Sequence, residues 1–298
     1  MKMFEIKILF FIYQNIKKLL GGKGLTKYSS IKKIKEYSLT HLQTDCAEIF
    51  GNKLFLGKKG LAMSISHYGK YEETEAKIME QKISKGEIVV DVGANIGIHT
   101  LNMAKIVGKT GKVFAFEPEV TNFEILKKNI KLNNYTNIFV ENKAVGEKNG
   151  IVTLYRSNHP GMHKIENKPL HSKDELNVNI ISLDNFFNEN HMQNKIDFVK
   201  IDVEGFELNV LKGMKNILKH NKNIKILFEF MPEKLQGNDL EYDSKYGELL
   251  NFLELFDLKK FCIDEKNNEL IQISDKKMIL KLCASHENTI SRNIFCQK

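Results

Sequence analysis

The chain has 298 residues, 42% of them hydrophobic, which is enough for one large α/β domain with an appendage. Its 45 basic residues against 37 acidic ones give a net charge of +8, but nearly all the positive charge is lysine, scattered along the chain. That pattern fits a solvated surface better than the clustered patch of a nucleic-acid binder. Four cysteines, Cys46, Cys262, Cys283 and Cys296, lie far apart with no C-x-x-C pair. Neither a zinc site nor a disulfide framework is indicated, and a reducing, cytoplasmic setting fits.

Residues 4–20 are apolar but interrupted by Glu5, Lys7, Gln14 and Asn15, whereas a membrane span needs roughly 20 mainly apolar residues. No small-residue cleavage site follows, because the segment runs into Lys17, Lys18 and then Gly21-Gly22. A helix packed on the domain is expected. The other reading is a peripheral helix that sets its lysines on the cytoplasmic membrane face. Gly21 to Lys27 reads as a link, and the stretch to Gly60 as a helical pattern with a hairpin at Lys53 to Leu56. Residues 1–66 are therefore expected to form an N-terminal extension, and 67–298 the main domain.

From Tyr71 onward strands and helices alternate, which predicts a mainly parallel sheet covered on both faces. Glu72 to Ile83 reads as a helix, Ile88 to Val92 as the first strand, and Ile98 to Val107 as its helix. Lys112 to Phe116 is the second strand. Thr121-Asn-Phe-Glu124 has capping-box spacing before the stripe Phe123, Leu126, Ile130, so a helix follows. Asn137 to Val140 is the third strand, and Ile151 to Tyr155 and Val178 to Ile181 read as extra strands. Asp197 to Ile201 is the fourth, followed by one helix with the stripe Phe206, Val210, Met214, Ile217. Lys225 to Phe230 is the fifth. A helix through Leu249, Leu253 and Phe256 and strands at Phe261 to Ile263 and Ile290 to Phe295 complete the set.

Ile88 to Gly97, Ile-Val-Val-Asp-Val-Gly-Ala-Asn-Ile-Gly, is an apolar run that ends in an acid and two glycines around an asparagine. Asp91 closes a buried strand, and Gly93, Ala94, Asn95 and Gly97 form a turn able to face backbone N–H groups to a bound nucleotide. A dinucleotide fingerprint wants a third glycine, and His99 follows Ile98 instead, which argues against nicotinamide. Glu117, 20 residues past Gly97, closes the second strand where a carboxylate can accept both ribose hydroxyls. After the third strand, Asn142 and the amide near Ala144 are placed to read adenine, although Asn142 serves equally well as a turn former. Lys200-Ile-Asp-Val-Glu-Gly205 sets Asp202 and Glu204 at the end of the fourth strand. There they can hold the cationic end of a cofactor, take a proton from a hydroxyl, or bind a divalent cation such as magnesium. An acidic helix start is the plainer reading for Glu204. Glu229, in the apolar run Ile226-Leu-Phe-Glu-Phe, would be costly to bury unless it serves the site. Asp202, Glu204 and Glu229 are the catalytic candidates. His159 and His163, in the loop between the extra strands, are weaker candidates for a base.

With these residues laid out, the chain resembles the FkbM family of S-adenosylmethionine-dependent methyltransferases from about Gly69 to Glu229. The resemblance rests on Gly69-Lys-Tyr-Glu-Glu-Thr-Glu75, Val90 to Gly97, Ala115-Phe-Glu-Pro118, Asn142-Lys-Ala-Val145, Ser182-Leu-Asp184 and Asp197 to Glu207. It implies a Rossmann-like class I methyltransferase fold with a seven-stranded sheet, the last strand antiparallel. It also implies S-adenosyl-L-methionine as cofactor and O-methylation of a sugar, glycan or related small acceptor. The rival readings are a nucleic-acid methyltransferase, suggested by the basic pI but lacking an Arg-rich arm, and a non-catalytic cofactor-binding scaffold. The first 65 or so residues match the family poorly.

Overall fold

The computed structural model describes residues 46–57, 71–157, 164–165, 172–192, 194–230, 244–264, 267, 269–275, 278 and 290–298. Residues 4–20, the Gly21 to Lys27 link, His159, His163 and Cys283 lie outside this set. The chain parts into two compact units, Met1–Ala47 with Phe55–Tyr71, and Glu48–Leu54 with Glu72–Lys298. The elements below belong essentially to the second.

In chain order they are β1 (Cys46–Ile49), β2 (Asn52–Phe55), α1 (Glu73–Lys82), β3 (Ile88–Val92), α2 (Ile98–Val107), β4 (Lys112–Phe116), α3 (Val120–Leu132) and β5 (Ile138–Glu141). Next come β6 (Ala144–Val145), β7 (Gly150–Ser157), β8 (Lys164–Ile165), β9 (Ser172–Ile181), α4 (Leu183–Glu189), β10 (Phe198–Ile201), α5 (Glu207–Lys212) and α6 (Lys215–His220). The chain closes with β11 (Lys225–Glu229), α7 (Ser244–Glu254), β12 (Lys259–Asp264), β13 (Glu269–Ile273) and β14 (Ile290–Gln297).

Among the described residues, eight strands form the central sheet in the order β13-β12-β14-β11-β10-β3-β4-β5. β5, β4, β3, β10 and β11 run parallel, and β14 is antiparallel to both its neighbours, β11 and β12. The seven expected strands are thus present with the last one reversed, and β13 adds an eighth at the edge, antiparallel to β12. Alternation along each strand separates two cores, as a sheet covered on both sides requires. Val90, Val92, Phe114, Phe116, Val199, Ile201, Ile226 and Phe228 pack with α4 to α7. On the other face Val89, Val113, Phe198 and Leu227 meet Ile78 and Met79 of α1 and Met103, Ala104 and Val107 of α2. The extra strands form a separate four-stranded sheet, β6-β9-β7-β8, whose Leu154, Val178 and Ile180 join the first core.

Three sequence expectations change locally. The hairpin turn falls at Phe50 and Gly51, both with positive φ (52° and 75°), so Lys53 to Phe55 belong to its second strand. Asn133 fixes that strand, its Oδ1 accepting from the Lys53 N–H at 2.9 Å and its Nδ2 donating to the Lys53 carbonyl at 2.7 Å. Helix α3 is capped by Glu119, whose carboxylate accepts from the Asn122 N–H at 2.8 Å, and Thr121 lies inside the first turn. The single helix expected after β10 is split at Gly213 and Met214. Asp184 takes both sides of the break: its N–H donates to the Gly213 carbonyl at 2.9 Å, and its carboxylate accepts from the Asn216 and Ile217 N–H groups at the start of α6.

Candidate active site

Strand order reverses at β3: β4 and β5 lie on one side, β10 and β11 on the other. A crevice opens at the carboxyl ends of strands beside such a point. Here it is an open cleft lined by Gly93 and Asn95 after β3, by Glu117 and Pro118 after β4, and by Asp202 to Glu204 after β10. Leu154 of β7 and Ile165 of β8, from the second sheet, also line it. That sheet is held to the α3 cap by Arg156, whose guanidinium pairs with Asp174 and reaches Glu119 Oε1 at 3.3 Å.

The glycine turn differs from the open ring of amides that the sequence suggests. The N–H groups of Gly93 and Ala94 both donate to the Phe116 carbonyl at 3.0 Å, that of Asn95 to Glu117 Oε2 at 2.8 Å, and that of Gly97 to the Ala94 carbonyl at 2.9 Å. The glycines serve close approach instead. At φ +83°, a Cβ on Gly93 would lie 1.9 Å from the Asp202 carbonyl oxygen, and at φ +93° one on Gly97 would lie 2.4 Å from Leu126. The turn therefore presses β3 against β10 and seats α3 over it. Asp91 is 1% exposed and anchors the turn from below, with Oδ2 accepting from the Thr100 hydroxyl at 2.6 Å and Oδ1 lacking a hydrogen-bond partner.

Glu117 is buried in the cleft wall, with Oε2 held by the Asn95 N–H and Oε1 by the Glu119 N–H at 2.9 Å. The Asn122 side chain is a third donor to this carboxylate. Burial pushes its pKa up to about 7, Glu119 adds to this, and the backbone hydrogen bonds from Glu119 and Asn95 oppose it. Ala144 lines the cleft, but Asn142 is not among the lining residues. Its Nδ2 donates to the carbonyls of Glu117 (2.8 Å) and Pro118 (3.1 Å), tying the ends of β4 and β5 together. The turn-forming reading of Asn142 is the one this geometry matches.

Asp202, Glu204 and Glu229 come together, with one oxygen of each lying within 4.8 Å of the others. Three carboxylates this close repel one another. The pKa of Glu229 accordingly rises to about 8, through burial first and then Asp202, Glu204 and Glu207, with Lys200 opposing. Its Oε2 is buried and has no hydrogen-bond partner. Such a set can hold a proton on Glu229, and its oxygen donors also match those of a magnesium-type ion. Glu204 holds a φ of 53°, a costly value for a non-glycine residue and one that recurs at functional sites. Glu229 is absent from the cleft lining itself.

Lys200 was not among the expected site residues. It is 5% exposed and its Nζ lies 2.9 Å from Asp202 Oδ2. Burial lowers its pKa, but Asp202, Asp91 and Glu72 outweigh burial and raise it above the ordinary value. The cost of burying a charge in an apolar strand, which singles out Glu229, could have found Lys200 too. The second sheet's contribution, Leu154 and Ile165, had no signal beyond strand propensity.

A nucleotide-type site at the switch point of a mainly parallel sheet, with acids at three strand ends, defines a Rossmann-like cofactor-binding protein. The family model for the methyltransferase FkbM domain matches residues 91–261, and the chain belongs to that family. Relatives include hexuronic acid methyltransferase AglP from Haloferax volcanii, 30% identical over 150 residues that cover 50% of this chain and 58% of that protein. Methyltransferase 1 of Beauveria bassiana is 27% identical over 144 residues, 42% of this chain and 57% of its own. The chain thus spans less than two thirds of the length of these relatives. Among solved structures, a putative methyltransferase from Streptococcus mutans in complex with SAH aligns at 11% identity and a TM-score of 0.42, covering 76% of this chain and 96% of that one. Among the described residues, no helix is long and apolar enough to cross a membrane.

Two structural features fit S-adenosylmethionine. Glu117 presents a buried carboxylate to the cleft, and the Oδ1 of Asn95 is a buried oxygen with no hydrogen-bond partner beside it.

Proposed function

We propose that this chain is an S-adenosylmethionine-dependent O-methyltransferase acting on a hydroxyl of a sugar, glycan or related small acceptor. The observation that carries the reading is the convergence of Glu117, Asn95, Asp202 and Glu204 on one cleft at the switch point. Glu117 accepts the ribose hydroxyls, and Asp202 faces the cationic end of the cofactor. When bound, that cofactor supplies a methyl group already activated by its sulfonium. The protein's main task is then alignment, which can contribute roughly 7–11 kcal/mol. Asp202 and Glu204 line the cleft that receives the acceptor hydroxyl, and the ionised form of Glu229, within 4.8 Å of both and with a pKa pushed up to about 8, is the strongest base of the three to take the proton on. The hydroxyl oxygen bonds the methyl carbon as the carbon–sulfur bond breaks, and its proton passes to the carboxylate cluster. The name of the Haloferax volcanii relative supports a sugar acceptor.

The test is calorimetry with S-adenosylhomocysteine, followed by mass spectrometry of glycans and lipids from cells with and without the gene. Binding, together with loss of one CH₂ unit from a glycan in the deletion strain, is the expected result. A protein that binds no S-adenosylhomocysteine refutes the cofactor. A methyl group lost from RNA instead of a glycan refutes the acceptor class.

A further inference from the structure

Lys200 lies inside β10, Phe198-Val-Lys-Ile, all four residues of which are buried. An ammonium so enclosed is costly unless carboxylates surround it. Asp91, on the neighbouring strand, is its register partner and equally enclosed. Neutralising Asp91 would be a sufficient structural role. That role does not explain why the hydrogen bond of Lys200 goes to Asp202, whose side chain is 32% exposed and lines the cleft.

We propose that Lys200 is a positioning residue of the cofactor site. It holds one oxygen of Asp202, turns the other toward the cofactor's cationic end, and offsets part of the negative charge gathered there. The inference rests on the functional reading above. Its consequence concerns the charge that the reaction removes. Methyl transfer converts a positive sulfonium into a neutral thioether, so bare carboxylates beside it would favour the starting cofactor over the transition state. A buried cation behind Asp202 limits that preference. Removing the cation frees the Asp202 carboxylate from its ion pair and leaves its full charge to the sulfonium, which should tighten S-adenosylmethionine relative to S-adenosylhomocysteine by about tenfold.

The experiment is calorimetry of both ligands on the full chain, as wild type, Lys200→Met, Asp202→Asn and the double variant. Lys200→Met is expected to raise the ratio of the two dissociation constants about tenfold in favour of S-adenosylmethionine. In the Asp202→Asn background the same change should move the ratio by less than about threefold, because the lysine acts through Asp202. An unchanged ratio in Lys200→Met, or an equal shift in both backgrounds, overturns the proposal. A purely structural lysine would lower the melting temperature and leave the ratio alone. Should Lys200→Met not fold, the double variant, which lacks both charges, is compared with Asp202→Asn. A ratio within about threefold supports the proposal and a larger difference overturns it. A wild type that binds neither ligand refutes the functional reading instead.

Discussion

Replacing Gly93 by alanine tests the close approach of β3 and β10 at the cleft. The φ of +83° adds a left-handed penalty of about 1–2 kcal/mol. The new Cβ would stand 1.9 Å from the Asp202 carbonyl oxygen, which is backbone and cannot rotate away. Relief needs a separation of more than about 1 Å, an overpacking cost of about 1–3 kcal/mol. It also strains the bond from the Asp202 N–H to the Val92 carbonyl, 2.9 Å long. The sum is about 2–5 kcal/mol. Gly86→Ala is the control, since Gly86 also has a positive φ (+86°) but its nearest neighbour would be at an ordinary 3.6 Å. That control should lose only the left-handed penalty of about 1–2 kcal/mol. Urea unfolding of both proteins measures the difference. Calorimetry with S-adenosylhomocysteine should show at least a tenfold weaker affinity, about 1.4 kcal/mol, in Gly93→Ala alone, because the shift displaces Asp202. If the two variants match in stability and affinity, the argument from close approach is wrong.

Gly213→Ala isolates the steric effect at an ordinary φ of −76°: a Cβ 1.9 Å from the Gly146 oxygen should cost about 1–3 kcal/mol by urea unfolding, and a neutral result refutes it. Glu117 sets a pH dependence. Its folded pKa of about 7 stands above the ordinary 4.5, so the folded state holds the proton more tightly. Its contribution to stability is full below 4.5 and is lost as pH rises through about 7. Glu117→Gln should flatten that decline, and equal slopes in the two proteins would falsify the assignment. Glu229→Gln should raise the urea midpoint above pH 8, where the wild-type carboxylate is ionised against its neighbours. It should also cut methyl incorporation by about 100-fold or more with little change in S-adenosylhomocysteine affinity, and undiminished incorporation removes Glu229 from the chemistry.

Much of the fold was legible because parallel strands buried on both faces read as short apolar runs, as at Ile88 to Val92 and Ile226 to Phe228. What failed to read was the punctuation. Thr121 carried the right spacing for a cap, but Glu119 captured the Asn122 N–H. The stripe through Met214 predicts one helix, but Asp184 captures the Gly213 carbonyl and the Asn216 and Ile217 N–H groups and divides it in two. Asn142 reads in the sequence equally as a base reader and a turn former, and only the fold brings the carbonyls of Glu117 and Pro118 to its amide. In each case a local pattern was overruled by a partner brought in from elsewhere in the chain.

The sequence by itself determined the alternation of strands and helices, the acids that end β3, β4, β10 and β11, and the family to which those words belong. These are local properties, since hydrophobic period and residue type at a strand end depend on few neighbours. Only the tertiary structure decided how the acids are used. The turn amides go to Phe116 and Glu117, Glu229 joins Asp202 and Glu204 without lining the cleft, and Lys200 hydrogen-bonds Asp202 while its register partner Asp91 takes the Thr100 hydroxyl. Hydrogen bonds and charges act through space over a few ångströms, and the chain order does not record which groups folding brings that close.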